Sequence, residues 1–249
     1  MSRYSLSGWW KAFTQRPRPD KPRRRSDGPG VPRRRPPLRL ETLEGRALPS
    51  TFTVVNLADA GPGSLRQAIT DANNHPGPDL ITFDPQLQGT IALTSGQLGI
   101  TDNLVVAGPG ADRLAVSGSD VSRVFDVAPG TEVTLLGLTV SHGSATQGAG
   151  IQNAGVLTLV DMVISDNLAL STTRNAQGGG VFDAHGAALV ASDTTFQNNT
   201  ALTPVPVAGS LPGARGGGLY NEGDAILDDF QLLEEHGFNH SFCERRNLG

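Results

Sequence analysis

Three times in the second half of this 249-residue chain a glycine cluster leads into an aliphatic residue, then a polar residue and another glycine. The copies are Gly148-Ala149-Gly150-Ile151-Gln152-Asn153-Ala154-Gly155, Gly178-Gly179-Gly180-Val181-Phe182-Asp183-Ala184-His185-Gly186 and Gly216-Gly217-Gly218-Leu219-Tyr220-Asn221-Glu222-Gly223. A short apolar run follows each, and the first two runs end alike, in Ile164-Ser165-Asp166-Asn167 and Phe196-Gln197-Asn198-Asn199. Self-similarity at a spacing of roughly 30 residues marks a solenoid, in which each unit buries its apolar face by stacking on its neighbours. The repeat bounds the architecture before any single side chain is considered. It names neither a reaction nor a ligand.

The repeating unit reads as β rather than helical. The chain holds 31 Gly and 17 Pro, and aromatic residues make up only 5% of it, so turns are many and strands are short. Thr90-Ile91-Ala92-Leu93, Leu104-Val105-Val106-Ala107, Leu114-Ala115-Val116, Val124-Phe125-Asp126-Val127 and Val133-Thr134-Leu135-Leu136 each read as a strand, separated by Gly-, Pro- and Ser-rich turns. The turns are too short for crossover helices, so the parallel partner of each strand must be the next turn of the chain, about 4.8 Å away. Seven or eight such layers fit in the chain, with Leu135, Leu138, Val140, Leu157, Leu159, Met162, Ile164 and Phe196 pointing inward. Gly150, Gly180 and Gly218 fall at equivalent turns, as do Asn167 and Asn199. Asparagine tolerates the left-handed conformation and can hydrogen-bond its own turn, so stacked asparagines would satisfy backbone groups layer after layer.

The formal net charge of −4 averages two unlike segments. Residues 1–50 hold 13 Lys or Arg against 4 Asp or Glu, leaving 7 against 20 in the remainder. The stretch 1–37, with Arg23-Arg24-Arg25, Arg33-Arg34-Arg35 and many prolines, cannot bury enough apolar surface to order itself. It reads as a solvated leader. A nucleic-acid arm or an attachment to anionic lipid is the competing reading, since several arginines bind phosphates without needing structure, and no specific nucleic acid is expected. Leu6-Ser7-Gly8-Trp9-Trp10 is much shorter than the apolar region of a signal peptide, so a conventional secretion signal is not recognised, and no stretch has transmembrane length. A single cysteine, Cys243, excludes an internal disulfide framework.

Residues 38–50 contain Leu40, Glu41, Leu43, Glu44, Arg46 and Leu48, ending in Ser50. The segment resembles the L-E-x-L-E-x-R-x-L-x-S motif found ahead of many large surface or extracellular proteins of planctomycete bacteria. That resemblance implies export to the cell surface. After the strand Phe52-Thr53-Val54-Val55-Asn56 and the turn Ala60-Gly61-Pro62-Gly63, a helix is expected over 64–73. Ser64 would cap it, and Gln67 three residues on would complete a capping box. Leu65, Ala68, Ile69 and Ala72 form its apolar face, suited to covering the open end of a stacked β core. Gly63-Ser64-Leu65-Arg66-Gln67-Ala68-Ile69 with Pro78-Asp79-Leu80-Ile81-Thr82-Phe83 resembles the Cys-Ser-Leu-Arg-Glu-Ala type of bacterial N-terminal domain, with glycine in place of the cysteine and Gln67 in place of the glutamate. Proteins of that kind continue into a right-handed parallel β-helix similar to the pectin-lyase superfamily. The resemblance covers most of residues 51–227.

Phe196-x-x-Asn199 and Gly217-Gly218-Leu219-Tyr220 also resemble the F-x-x-N and G-G-A-I repeats of polymorphic outer-membrane and autotransporter passenger proteins. Ile164-x-x-Asn167 and Gly179-Gly180-Val181-Phe182 are variants of the two. They imply an extracellular β-helical passenger or adhesin. The fold class expected is therefore all-β, a right-handed parallel β-helix over 51–227 with one N-terminal capping helix.

The rival is a polysaccharide lyase or glycoside hydrolase of β-helix type, which needs convergent acids. Asp161, Asp183 and Asp193 are the candidates. Asp161 and Asp193 recur at one repeat position with Asp229, and Asp166 lies nearby. A rung-by-rung recurrence points to a structural turn, because a catalytic pair is a local exception. No catalytic residue and no cofactor is assigned; Ca²⁺ is the one ion the acidic turns suggest. The glycine clusters are not phosphate loops, since no Gly-Lys-Ser/Thr follows. His75 lies in a helix-ending turn, His142 and His185 in loops, and His236, His240 and Cys243 lack a fourth metal ligand. The partners expected are a cell-envelope component or a polysaccharide.

Residues 228–249 break the pattern. Phe230-Gln231-Leu232-Leu233-Glu234-Glu235-His236-Gly237 reads as helix-prone with a glycine stop, either a C-terminal capping helix or the sign of a truncated or frameshifted end. An uncovered end of the stack would favour self-association.

Overall fold

The structure is a computed structural model. It describes residues 49–172, 175–204, 213–234 and 236. By compactness the chain divides into Met1–Glu44 and Gly45–Gly249, and every described residue belongs to the second unit. The leader and Leu40, Glu41, Leu43, Glu44, Arg46 and Leu48 of the export motif lie outside the described residues, as do His240 and Cys243.

In chain order the elements begin with β1 (Thr51–Val54), α1 (Leu65–Asn73), β2 (Asp79–Phe83), β3 (Gly89–Ala92), β4 (Leu98–Ile100), β5 (Leu104–Ala107), β6 (Leu114–Ser117) and β7 (Phe125–Val127). Next come β8 (Glu132–Leu136), β9 (Thr139–Ser141), β10 (Ser144–Ala145), β11 (Ile151–Asn153), β12 (Val156–Val160), β13 (Val163–Ser165) and β14 (Leu168–Leu170). The remainder are β15 (Val181–Asp183), β16 (Ala188–Ser192), β17 (Thr195–Gln197), β18 (Thr200–Leu202), β19 (Leu219–Asn221), β20 (Asp224–Asp228) and β21 (Gln231–Leu233). The fold is all-β with one helix among the described residues, and every strand pairing is parallel.

Four sheets result, ordered β1-β2-β5-β8-β12-β16-β20, β21-β17-β13-β9-β6-β3, β19-β15-β11-β7-β4 and β10-β14-β18. From β2 onward the chain visits the first three in the same cyclic order each time it passes, and the fourth enters between the second and third from β10 onward. This order arises because two-to-five-residue strands joined by tight turns cannot pair with their immediate neighbours in parallel. The pairing register stacks like on like: Val106 on Leu135, Leu135 on Leu159, Leu159 on Ala191 in the first sheet. In the second, Val116 lies on Val140, Val140 on Ile164 and Ile164 on Phe196.

These columns form the core. Leu135, Leu138, Val140, Leu157, Leu159, Met162, Ile164 and Phe196 are all buried in one hydrophobic cluster. The helix α1 packs against β1, β2 and β4 through Leu65, Ala68, Ile69 and Ala72, all buried. Ser64 is its N-cap, and its Oγ accepts the Gln67 backbone N–H at 3.2 Å. The reciprocal half of the expected capping box is not made: the Gln67 side-chain amide instead donates to Asp71 Oδ1 at 2.7 Å, an i,i+4 partner on the exposed helix face.

The opposite end departs from expectation. The segment 230–237, read as helix-prone, contains the strand β21, which pairs in parallel with β17. The template won over local propensity, because β17 presents an edge of unpaired backbone groups that only an extended chain can satisfy. Apolar residues of β20 and β21 find less cover: Ile226, Leu232 and Leu233 are 62%, 44% and 43% exposed.

Phe196, fully buried between Ile164 and Leu232 in its column, tests the core. Phe196→Ala should lower unfolding free energy by about 3–5 kcal/mol, read by denaturant titration of the full chain. Leu233→Ala on the exposed last strand should cost much less.

Candidate functional site

The repeated acids stand where the backbone turns left-handed. Asp161, Asp193 and Asp229 have φ of 51°, 49° and 43°, each one residue beyond the end of β12, β16 and β20. Gly137, one residue beyond β8, has φ 61° at the same position. Asp and Asn are the side chains that tolerate this region best after glycine, so recurrence here reflects a corner between two sheets. The three aspartates are exposed. A second corner follows the second sheet, where His142, Asp166, Asn198 and Glu234 also have positive φ, between 50° and 56°.

One residue past that corner lie Asn167 and Asn199, both buried. Asn167 Nδ2 donates to Asn199 Oδ1 at 2.8 Å and to the Val140 carbonyl at 3.2 Å, while its Oδ1 accepts from Gly143 N at 2.8 Å. Asn199 Nδ2 donates to the Ile164 carbonyl at 2.8 Å. The asparagines thus bridge successive layers through their amides. Against them pack the glycine clusters. Gly150 N donates to the Gly179 carbonyl, Gly180 N to that of Gly217, and Val181 N to that of Gly218. A Cβ on Gly150 would stand 2.6 Å from the Gly180 carbonyl oxygen, and one on Gly180 2.5 Å from that of Gly218, so side chains are excluded by close approach of the next layer.

Asp183 is different from the other two candidates. Paired with Asn153 on one side and Asn221 on the other, it is a carboxylate in a column of amides, and it is fully buried. Asn153 Nδ2 donates to its Oδ1 at 2.5 Å. Asn153 and Asn221 each accept from a backbone amide two residues on, Gly155 N and Gly223 N. The turn after Asp183 is longer, reaching the next sheet at Ala188 where Asn153 does so at Val156. Asp183 Oδ2 has no hydrogen-bond partner among the described residues. Asp183 Oδ2 and the carbonyl oxygens of Ala184 and Ala187 all lie within 2.9 Å of where a Cβ on Gly223 would stand. Burial pushes the carboxyl up to about 6 despite the hydrogen bond from Asn153, and the nearby Asp224 charge adds to the rise.

Two polar clusters escaped the sequence reading. The first ties the helix to the body. Asp59 Oδ1 accepts from Arg66 Nη2 at 2.6 Å, and its Oδ2 accepts from Thr94 N, Thr94 Oγ1 and Ser95 N. Arg66 continues to the Gly96 and Gln97 carbonyls at 2.7 and 2.9 Å. Burial raises the Asp59 pKa, but the bonds from Ser95, Arg66 and Thr94 outweigh it and hold the group well below the usual carboxylate range. The second runs Ser50 Oγ to His75 Nε2 at 3.1 Å and His75 Nδ1 to Asp79 Oδ1 at 3.0 Å. The i,i+4 spacing of His75 and Asp79 was visible in the sequence; the approach of Ser50, 25 residues before His75, was not.

Asp161, Asp183 and Asp193 therefore occupy three backbone-determined places, two at exposed corners and one inside an amide column. Among the described residues, no group of three or more His, Cys, Asp or Glu side chains is arranged to hold a metal ion. No helix of the described residues is long and apolar enough to cross a membrane. No protein-family model matches the chain, and a comparison with curated proteins gives no match.

The Asp183 environment makes a pH prediction. A carboxyl near 6 when folded and 3.8 when unfolded binds more protons in the folded state, so its contribution favours folding below about pH 4 and is lost as pH rises through 6. The penalty at pH 7.5 is about 3 kcal/mol at the usual conversion of pKa units. Asp183→Asn, which restores the amide of Asn153 and Asn221, should raise the melting temperature at pH 7.5 and leave it nearly unchanged at pH 4, measured by paired thermal melts.

Proposed function

We propose that this chain is an exported, non-catalytic surface protein whose folded part is a right-handed parallel β-helix capped at its start by α1. The observation that carries the reading is the role of the repeated acids and amides: each repeated position is explained by a corner or by a bond between layers, which is what a scaffold requires. Parallel sheets visited in cyclic order and stacked in register support the β-helix. The planctomycete-type motif around Leu40, Glu41, Leu43, Glu44, Arg46 and Leu48 supports display at the cell surface or release from it. So does the resemblance of Ser64-Leu65-Arg66 and its surroundings to Cys-Ser-Leu-Arg-Glu-Ala type domains. Within that class the protein presents its outer sheet faces for adhesion, contact with polysaccharide or envelope structure.

The measurement that tests location is cell fractionation combined with protease treatment of intact cells. The protein should be found at the surface or in the medium and be degraded without lysis. Recovery entirely in the cytosol would sink the export reading.

Activity is tested separately, by incubating the purified full chain with pectins, alginates and sulfated polysaccharides. No product release is expected. Release that disappears on replacing Asp161, Asp183 or Asp193 by alanine would instead establish a carbohydrate-active enzyme.

A further inference from the structure

We propose that Ser50, His75 and Asp79 cut their own chain at the peptide bond between Pro49 and Ser50, using the Ser50 hydroxyl as an intramolecular nucleophile.

The geometry is that of an activated serine. Asp79 is fully buried and, as a carboxylate, can only accept, so the His75 Nδ1 that lies 3.0 Å from its Oδ1 must donate. A neutral His75 then has a lone pair on Nε2, and the Ser50 hydroxyl 3.1 Å away is the donor to it. The order is nucleophile, base and orienting carboxylate, recognised by roles rather than by position in the chain. His75 is 38% exposed along its side chain, and Pro49 is exposed, so water reaches the junction. The ring of Phe52 meets that of His75 edge-on at 6.5 Å, which adds to its fixed orientation.

The electrophile is supplied by the chain. A serine hydroxyl is always close to the carbonyl carbon of the residue before it, so no substrate has to be bound. What is unusual is the leaving group. Ser50 N already donates to Asp79 Oδ1 at 2.8 Å, while Asp79 Oδ2 is buried without any hydrogen-bond partner among the described residues. A peptide N–H offers one donor; a free ammonium offers three and a positive charge. Cleavage would therefore place a cation against a buried carboxylate whose second oxygen is unsatisfied, which favours the product over the intact peptide. The rest of Ser50 is held, since Leu80 N donates to its carbonyl at 2.8 Å at the start of β1.

The steps balance with water as the sole co-reactant. Ser50 Oγ bonds to the Pro49 carbonyl carbon as its proton passes to His75 Nε2. The adduct collapses by breaking the bond from that carbon to Ser50 N, which takes the proton back from His75, leaving an ester between Pro49 and Ser50 Oγ. Water adds to the ester carbon, and the bond to Oγ breaks with return of a proton to Oγ. The products are residues 1–49 ending in a carboxylate and a chain beginning with the Ser50 ammonium. The reaction happens once per molecule, so it stands apart from the proposed scaffold role and does not depend on it.

The test uses the purified full chain, incubated near neutral pH and followed by intact mass and N-terminal sequencing. A new terminus at Ser50 is expected, formed at the same fractional rate at all protein concentrations. Hydroxylamine should speed its appearance and leave a hydroxamate on Pro49, the mark of an ester. Ser50→Ala should abolish cleavage, Ser50→Cys should retain it through a thioester, and His75→Ala should slow it about 100-fold or more, with circular dichroism melts confirming that each variant is folded. A folded wild-type chain that stays intact through prolonged incubation with hydroxylamine overturns the proposal. So does cleavage of Ser50→Ala at the wild-type rate. Should Ser50→Ala fail to fold, Ser50→Cys decides in its place: a folded cysteine variant that yields no new terminus with hydroxylamine also overturns it.

Discussion

Everything described in this protein depends on one constraint: each strand finds its hydrogen-bond partner one passage of the chain earlier or later, in parallel and in register. A parallel strand cannot be completed by a hairpin, so the backbone must turn corners and return. The corners are tight enough to need left-handed residues, which accounts for Gly137, Asp161, Asp193 and Asp229 at one of them and for His142, Asp166, Asn198 and Glu234 at the next. Once the register is set, side chains at equivalent positions lie on each other, and every column must be compatible with itself. Aliphatic columns make the core, and amide columns satisfy the turns through Asn167 and Asn199.

The same self-compatibility makes exceptions informative. Asp183 interrupts a column that holds Asn153 and Asn221, and the longer turn after it removes the amide donor its neighbours use. A buried carboxyl in that setting weighs against the fold at neutral pH, and the nearby Asp224 charge adds to the effect of burial. The three aspartates that are the candidates if the chain is an enzyme, Asp161, Asp183 and Asp193, separate into two corners and a column. By contrast Ser50, His75 and Asp79 lie at the start of the stack, where Asp79 heads a column that continues through Leu104 and Val133. A carboxylate at the head of an otherwise aliphatic column, bonded to His75 and through it to Ser50, is a polar chain that the repeat does not explain.

Much of the fold was legible. The glycine clusters and the tails ending in Asn167 and Asn199 implied stacking, and the eight residues assigned to the core are buried. Ser64 caps the helix as its position suggested. Boundaries were less legible, because short strands are delimited by pairing: β4 carries only Leu98, Gly99 and Ile100, and its register with β7 defines it. Charge and propensity favour a helix over 230–237, yet the edge of β17 draws Gln231–Leu233 into the strand β21.

The candidate sites divide the same way. Sequence alone determined that this is a layered β chain with a helix at its start, because periodicity and glycine spacing are properties of the chain that backbone geometry must obey wherever it folds. It also determined which residues repeat, and hence that Asp161 and Asp193 share a place. Only the tertiary structure decided that Asp183 is buried among amides, that Arg66 clamps Asp59, and that Ser50 meets His75 and Asp79 across the first turn. Ser50 reaches His75 from 25 residues away and Asn153 reaches Asp183 from 30, and burial and hydrogen bonding act through space, so no local pattern carries those approaches.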